Sequence, residues 1–222
     1  VTFSESRIEN SGTPVPRETN DYELLVNGRP APILRMDGSQ IRYIMPWESP
    51  VGEPVEFRIR RISTGETAAY QFQALDPASP AFLTTLNFQV GSTPARQIRA
   101  TNQNGWENGG GNPATAGSEV TLFLTGGGPL EPPPPDGEAA ERTVPIDGTL
   151  IVGGREAQVL SSSLDPNEPG VWRIRAKLPD NLFGAAAQSF AVPVVLIHKS
   201  RPNNRDPLRG NVAFTTTLAI RQ

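Results

Sequence analysis

Cysteine is missing from the whole of the 222-residue chain. Its absence removes disulfides, thiolate zinc sites and cysteine nucleophiles together. It leaves the compartment open, because exported bacterial proteins often manage without disulfides. No apolar run reaches the roughly 18 residues that a membrane-crossing helix needs, so no membrane insertion is expected. A basic excess is also lacking: 20 Lys and Arg stand against 23 Asp and Glu, a formal net charge of −3. Such a chain does not attract phosphate backbones, and nucleic acid is not an expected partner. Sustained helical spacing is absent, apart from one turn's worth in "GEAAERT" at 137–143. The opening "VTFSESRIEN" has no basic head, apolar stretch or small-residue cleavage site of a signal peptide. The chain therefore reads as a mature or excised piece of a longer protein.

Glycine and proline, by contrast, are plentiful, with 21 and 23 residues punctuating the chain at short intervals. Between them runs an alternation of period two. In "VEFRIRRI" (55–62), Val55, Phe57 and Ile59 fall on one face and Glu56, Arg58 and Arg60 on the other. In "VWRIRAKL" (171–178), Trp172, Ile174, Ala176 and Leu178 point inward, which makes Trp172 a core residue. "QIRYIM" (40–45), "LNFQV" (86–90), "EVTLFL" (119–124), "VPVVLIHK" (192–199) and "FTTTLAI" (214–220) are further strands, rich in β-branched and aromatic residues.

The stretch "VNGRPAPIL" at 26–34 has a relative in "VGGREAQVL" at 152–160. Asn27-Gly28 and Gly153-Gly154 hold equivalent places and supply the positive φ of a two-residue hairpin turn. After the first nonapeptide come "QIRYIMP" and "VEFRIRRI"; after the second come "VWRIRAKLP" and "VPVVLIHK". "VTFSESRI" upstream has its counterpart in "VTLFLTGGGPL" at 120–130. One supersecondary plan used twice predicts an all-β protein of two tandem immunoglobulin-like β-sandwich domains. A single larger barrel is the alternative. The boundary is placed near "LDPASPAF" (75–82), giving a shortened first domain at 1–78 and a second at 79–222 with an added hairpin and long loops. "GGGPLEPPPPDGE" at 126–138 is a stiff polyproline loop inside the second repeat.

Three blocks carry a family resemblance: "VNGRPAPILRMDGSQIRYIMPWE", then "NQNG…NPATAGSEVTLFLTGGGPLEPP…DGE", then "LIVGGREAQVLSSSLDPNEPGVWRIRAKLP". Their order is similar to that of the Solibacter-type uncharacterised C-terminal domain family, itself akin to the IPT/TIG-like repeats of surface proteins. The resemblance covers nearly the whole chain. It implies immunoglobulin-like sandwiches in exported proteins, with no known activity. The departures are a shortened opening segment, an expanded loop at "NGWENGGGNPATAG" and an insertion at "HKSRPNNRDPLRGN" (198–211).

The single histidine, His198, ends a strand beside Lys199 without a G-x-S-x-G elbow, and reads as an ordinary strand-end residue. "LDPNEPG" and "NQNG" put oxygens in loops as calcium prefers, but depart from EF-hand spacing and are explained by Asx turns. The "GGG" stretches at 109–111 and 126–128 lack the Lys-Ser/Thr and helix of a phosphate loop and read as flexible turns. No cofactor, metal site or catalytic residue is expected. Arg58, Arg60, Arg173 and Arg175 form basic stripes, read as solvated sheet faces that also guard strand edges.

What remains for recognition is loop tryptophan. Trp47 follows the strand-ending Pro46, and Trp106 lies in the polar expanded loop with Asn102 and Asn104. Aromatic rings beside amides suit sugar stacking or partner contacts. The expectation is a non-catalytic structural or adhesive module of an exported bacterial protein, extracellular or at the cell surface. Its expected partners are other domains of a longer parent chain and a cell-surface polysaccharide or protein. The alternative is a carbohydrate-binding module using Trp47 or Trp106 with Asn102 and Asn104.

Overall fold

The computed structural model describes residues 8–72, 78–90, 93–182, 190–198 and 215–221. The opening segment 1–7, residues 75–77 of the expected boundary and the expected insertion at 199–211 lie outside the described residues. Among those described the protein is all-β, built from strands and turns with no helix. Two compact units share the chain. The first gathers Val1–Ser79, Gly128–Arg142 and Leu164–Val171; the second gathers Pro80–Gly127, Thr143–Ser163 and Trp172–Gln222.

The first unit contains two antiparallel sheets. One joins β1 (Ile8–Glu9), β5 (Ile33–Met36) and β6 (Ile41–Tyr43) in the order β1-β5-β6. The other joins β2 (Glu18–Thr19), β3 (Tyr22–Val26), β7 (Val55–Arg61) and β8 (Thr67–Phe72) in that order, with β4 (Arg29–Pro30) also on β3. Apolar residues alternate along β3 and β7, a register shift in β5 sets both Ile33 and Met36 inward, and the two apolar faces make one core. Tyr22, Leu24, Val26 and Val55 come from one sheet, Ile33 and Met36 from the other; Ile41, Tyr43, Phe57 and Ile59 pack against them. Tyr43 meets Phe57 edge-on, with ring centroids 5.7 Å apart.

Hairpin chemistry decides where strands turn. Asn27 (φ 47°) and Gly28 (φ 77°) both adopt left-handed backbone, as do Gly153 (φ 58°) and Gly154 (φ 77°). Positive φ at both central residues is the type I′ pattern that matches strand twist. The second limbs then differ. After the first turn, Pro30 and Pro32 withhold two ladder N–H groups, so β4 is two residues long and the chain crosses to the other sheet as β5. After the second turn no proline intervenes, and β16 (Arg155–Leu164) runs for ten residues beside β15 (Gly148–Val152).

In the second unit one eleven-stranded sheet holds β9 (Ala81–Phe82), β10 (Thr84–Val90), β11 (Thr93–Ile98), β12 (Ala100–Asn102), β13 (Ala114–Thr115), β14 (Glu119–Thr125), β15, β16, β17 (Trp172–Lys177), β18 (Phe190–His198) and β19 (Thr215–Arg221). Its path is β10-β11-β19-β18-β15-β16-β17-β14-β12, with β13 on β19 and β9 on β14. β9 and β10, separated only by Leu83, pair towards opposite ends of this path, so the sheet is a near-barrel. The alternation on β14 and β17 is as the sequence implies: Val120, Leu122 and Leu124 face inward with Ala176, Ile174 and Trp172 opposite. Trp172 is 2 % exposed. A Cβ on Gly127 would fall within 2.6 Å of its indole, so this glycine permits close approach of backbone to ring rather than serving only as a flexible turn.

The proline-rich stretch is held within the first unit. The Val15 N–H donates to the Gly137 carbonyl (2.8 Å), the Trp47 N–H to Asp136 Oδ1 (2.8 Å) and the Ala139 N–H to Thr13 Oγ1 (3.0 Å). Arg142 donates to the carbonyls of Glu131 (2.6 Å) and Pro132. Gly137 has φ 81°, and a Cβ there would lie 3.0 Å from the Val15 carbonyl oxygen. Gly137→Ala is therefore expected to cost about 1–3 kcal/mol, through a strained backbone and a displaced stretch. Urea unfolding checks it, and a stability equal to wild type would contradict this docking.

One carboxylate ties two turns of the five-stranded sheet. Asp21, in the β2–β3 turn, accepts hydrogen bonds from the Ser63 N–H (2.8 Å), the Ser63 hydroxyl and Arg61 Nε (3.1 Å) at the β7–β8 turn. The Ser63 hydroxyl foremost, with the Ser63 N–H and Arg61, holds the Asp21 carboxyl below its ordinary value. A lowered folded pKa means stabilisation present above the unfolded value near 4 and lost as pH falls through the folded one. Asp21→Asn should lower the urea midpoint at neutral pH, and its gap to wild type should close in acid; a gap constant across pH would contradict the charged clamp.

Candidate recognition loop

The loop from β12 to β13 begins with a turn that its own amides build. Asn104 Oδ1 accepts the Trp106 N–H (3.1 Å), the Gly105 N–H donates to the Asn102 carbonyl (2.9 Å), and the Asn102 N–H donates to the Trp106 carbonyl (2.8 Å). Gly105 takes φ 83°, which its missing Cβ allows. Gly109 and Asn112 close a second turn through reciprocal backbone bonds of 3.3 and 3.0 Å, and Asn112 Nδ2 donates to the Glu107 carbonyl (3.1 Å).

Beneath these turns lies a buried amide cluster centred on Asn108, 2 % exposed. Its Nδ2 donates to Asn102 Oδ1 (2.9 Å) and the Ala219 carbonyl (2.8 Å). Its Oδ1 accepts from Gln97 Nε2 (2.8 Å) and the Ala219 N–H (2.9 Å). A primary amide has two donors and two lone pairs, and all four are used. Asn102, itself 7 % exposed, spends its Nδ2 on the Asn112 carbonyl (2.8 Å). Polar groups buried without partners are costly, whereas this cluster is saturated and so fixes the loop's shape.

From this braced base the Trp106 side chain stands 70 % exposed. On the same loop a shallow depression of about 300 Å³ is lined by Asn102, Gln103, Asn104, Asn112, Thr115, Ser118 and Arg221 among others. Arg221 is its one charged lining residue, and Arg221 Nε donates to Thr115 Oγ1 at 3.4 Å. The depression thus offers amides, hydroxyls and one guanidinium.

Of the residues singled out from sequence, Asn102, Asn104 and Trp106 are gathered on this loop, each in a different capacity. Asn102 is committed to scaffold bonds, Asn104 shapes the turn, and Trp106 is displayed. Trp47 belongs to the first unit, where it is half-buried and anchored by its N–H to Asp136. Asn108, Gln97 and Arg221 were not legible in advance. Asn108 sits in "ENGGGN", a string that reads as loose loop, and its main partner, Ala219, lies 111 positions away.

Asp165 Oδ1 accepts the N–H groups of Asn167 (2.7 Å) and Glu168 (3.1 Å), so "LDPNEPG" is an Asx turn. Arginines of the stripes are paired within the chain: Arg58 with Glu56 (2.9 Å), Arg60 with the buried Glu23, and Arg175 with Glu119 (2.7 Å). Among the described residues no group of three or more His, Cys, Asp or Glu is placed to hold a metal ion. No family model matches the chain, nor does any curated protein or solved structure. The fold and the loop together define an all-β protein with a braced, tryptophan-bearing loop.

Replacing Asn108 by alanine strands the N–H and C=O of Ala219 together with Gln97 and Asn102, each at about 1–3 kcal/mol if left unsatisfied. Asn108→Ala should therefore destabilise by about 3 kcal/mol or more and speed hydrogen exchange at the Ala219 amide. A loss below about 1 kcal/mol would show that the cluster does not brace the loop.

Proposed function

We propose that this chain is a non-catalytic structural and adhesive module of an exported bacterial protein, built as two immunoglobulin-like sandwiches in tandem. On this reading it is a member of the Solibacter-type family that its three sequence blocks resemble. It acts outside the cell or on its surface, joined to other domains of a longer parent chain. A shared strand plan supports the tandem assignment. In one half the hairpin strand β3 pairs with β7 and β5 pairs with β6; in the other β15 pairs with β18 and β16 neighbours β17.

The observation that carries the adhesive role is the exposure of Trp106 on a loop whose buried amides are saturated. Leaving a large indole in water forfeits burial worth about 1.5–3 kcal/mol for a large apolar side chain. A rigid platform recovers that on meeting a partner without first having to be ordered. The depression on the same loop favours a second reading, a carbohydrate-binding module, because amides and a guanidinium match sugar hydroxyls and an indole suits stacking on a sugar ring.

Retention of the purified chain on insoluble and cell-wall polysaccharides, and on cell-surface protein, tests both readings. Trp106→Ala should weaken capture by roughly tenfold or more, as expected for a central aromatic anchor, with unchanged thermal stability. Trp47→Ala should leave capture intact. Capture on polysaccharide selects the second reading and capture on protein the first. Full capture by Trp106→Ala would remove the loop from either.

A further inference from the structure

The five-stranded sheet of the first unit ends on β8, with no further strand beyond it among the described residues. An edge strand presents a row of backbone donors and acceptors suited to another strand, and proteins guard such edges with charge, proline, bulges or cover. Among the described residues β8 has none of these. Its sequence, "TAAYQF", contains no charged residue and no proline, and its pairing with β7 runs in register from Thr67 to Phe72 without a bulge. Every residue from Arg61 to Gln71 is exposed.

The faces of β8 add a second observation. Ala68 and Tyr70 stand opposite Ile59 and Phe57, which pack on the core. Opposed residues of antiparallel strands share a face, so Ala68 and Tyr70 continue the apolar face of the sheet past the point where the core ends. Tyr70 is 64 % exposed there. The arginines beside the strand do not repel an incomer: Arg58 is paired with Glu56, Arg60 with Glu23 and Arg61 with Asp21.

We infer that β8 is a homophilic docking edge, occupied by β8 of a second copy of this chain. An uncharged edge admits a second copy without like-charge repulsion. The segment is neutral and its neighbouring cations are neutralised in cis, so a copy meets no like charge. Its side chains are also self-complementary. Laid antiparallel about a two-fold axis through Ala69, two copies set Ala69 against Ala69, Tyr70 against Ala68 and Gln71 against Thr67, so each large ring lies over a methyl group. The five-residue overlap falls below the roughly 1,200 Å² of a stable interface, so the association is weak and closes at two copies.

Sedimentation of the full chain from low micromolar to roughly millimolar concentration tests this. Wild type should show a concentration-dependent monomer–dimer equilibrium. Ala69→Lys and Ala69→Glu each place like charges at the two-fold, and each should weaken dimerisation on the order of tenfold or more while keeping the wild-type circular dichroism and melting temperature. An equimolar mixture of the two variants should recover dimer, because Lys then faces Glu. A wild-type chain that stays monomeric throughout overturns the proposal, and so does association that neither variant weakens, which would mean another surface or a different partner strand. A mixture that fails to recover dimer overturns the pairing about Ala69.

Discussion

The amide of Asn108 stands where a strand is missing. One edge of β19 is bordered by β11 along Thr215–Thr217 and by β13 at Ile220–Arg221, both in parallel. Ala219 lies between them, and its N–H and C=O are met instead by the two ends of one side chain. A primary amide has the same donor–acceptor geometry as a peptide group, so it continues the ladder across the gap. The loop between β12 and β13 is tied down through the same residue, since Asn102 and Gln97 complete its valences. The exposed Trp106, the depression on the same loop and the seam of the near-barrel all rest on this one saturated group.

In the first unit, ties between distant turns do comparable work with charge. Asp21 gathers the β7–β8 turn onto the β2–β3 turn, and Asp37 accepts the Ser39 and Gln40 N–H groups (3.1 and 3.0 Å) to shape the tight connection between β5 and β6. The Ser39 N–H foremost, with Arg35 and the Ser39 hydroxyl, holds the Asp37 carboxyl below its ordinary value. The arginines that alternate along β7 are spent on Glu56, Glu23 and Asp21. The basic stripe is thereby largely neutral, because each cation has a carboxylate on its own strand, on the neighbouring strand or in the adjoining turn.

The two related nonapeptides show how far local sequence carries. Both make the same turn, since both place residues tolerant of positive φ at its centre. Beyond it, two prolines in one copy and none in the other send the chain to a second sheet or along the same one. Turn and proline rules are properties of a few neighbouring atoms, so this much could be read directly. The inward phase of Trp172, Ile174 and Ala176 was equally legible, because alternation on a strand is a local periodicity.

Sequence by itself determined the all-β class, most of the strands, the hairpin turns and the inward faces, because these follow from contacts among residues near one another in the chain. It also singled out the polar loop that holds Asn102, Asn104 and Trp106. Which of these three faces solvent was decided only by tertiary structure. Asn102 and Asn108 are chemically alike to Asn104, and burial beside β19 alone turns them from ligand candidates into scaffold. The same holds for the near-barrel path, the docking of the proline stretch and the open edge of β8: each depends on which distant strand arrives alongside, and no local pattern encodes that neighbour.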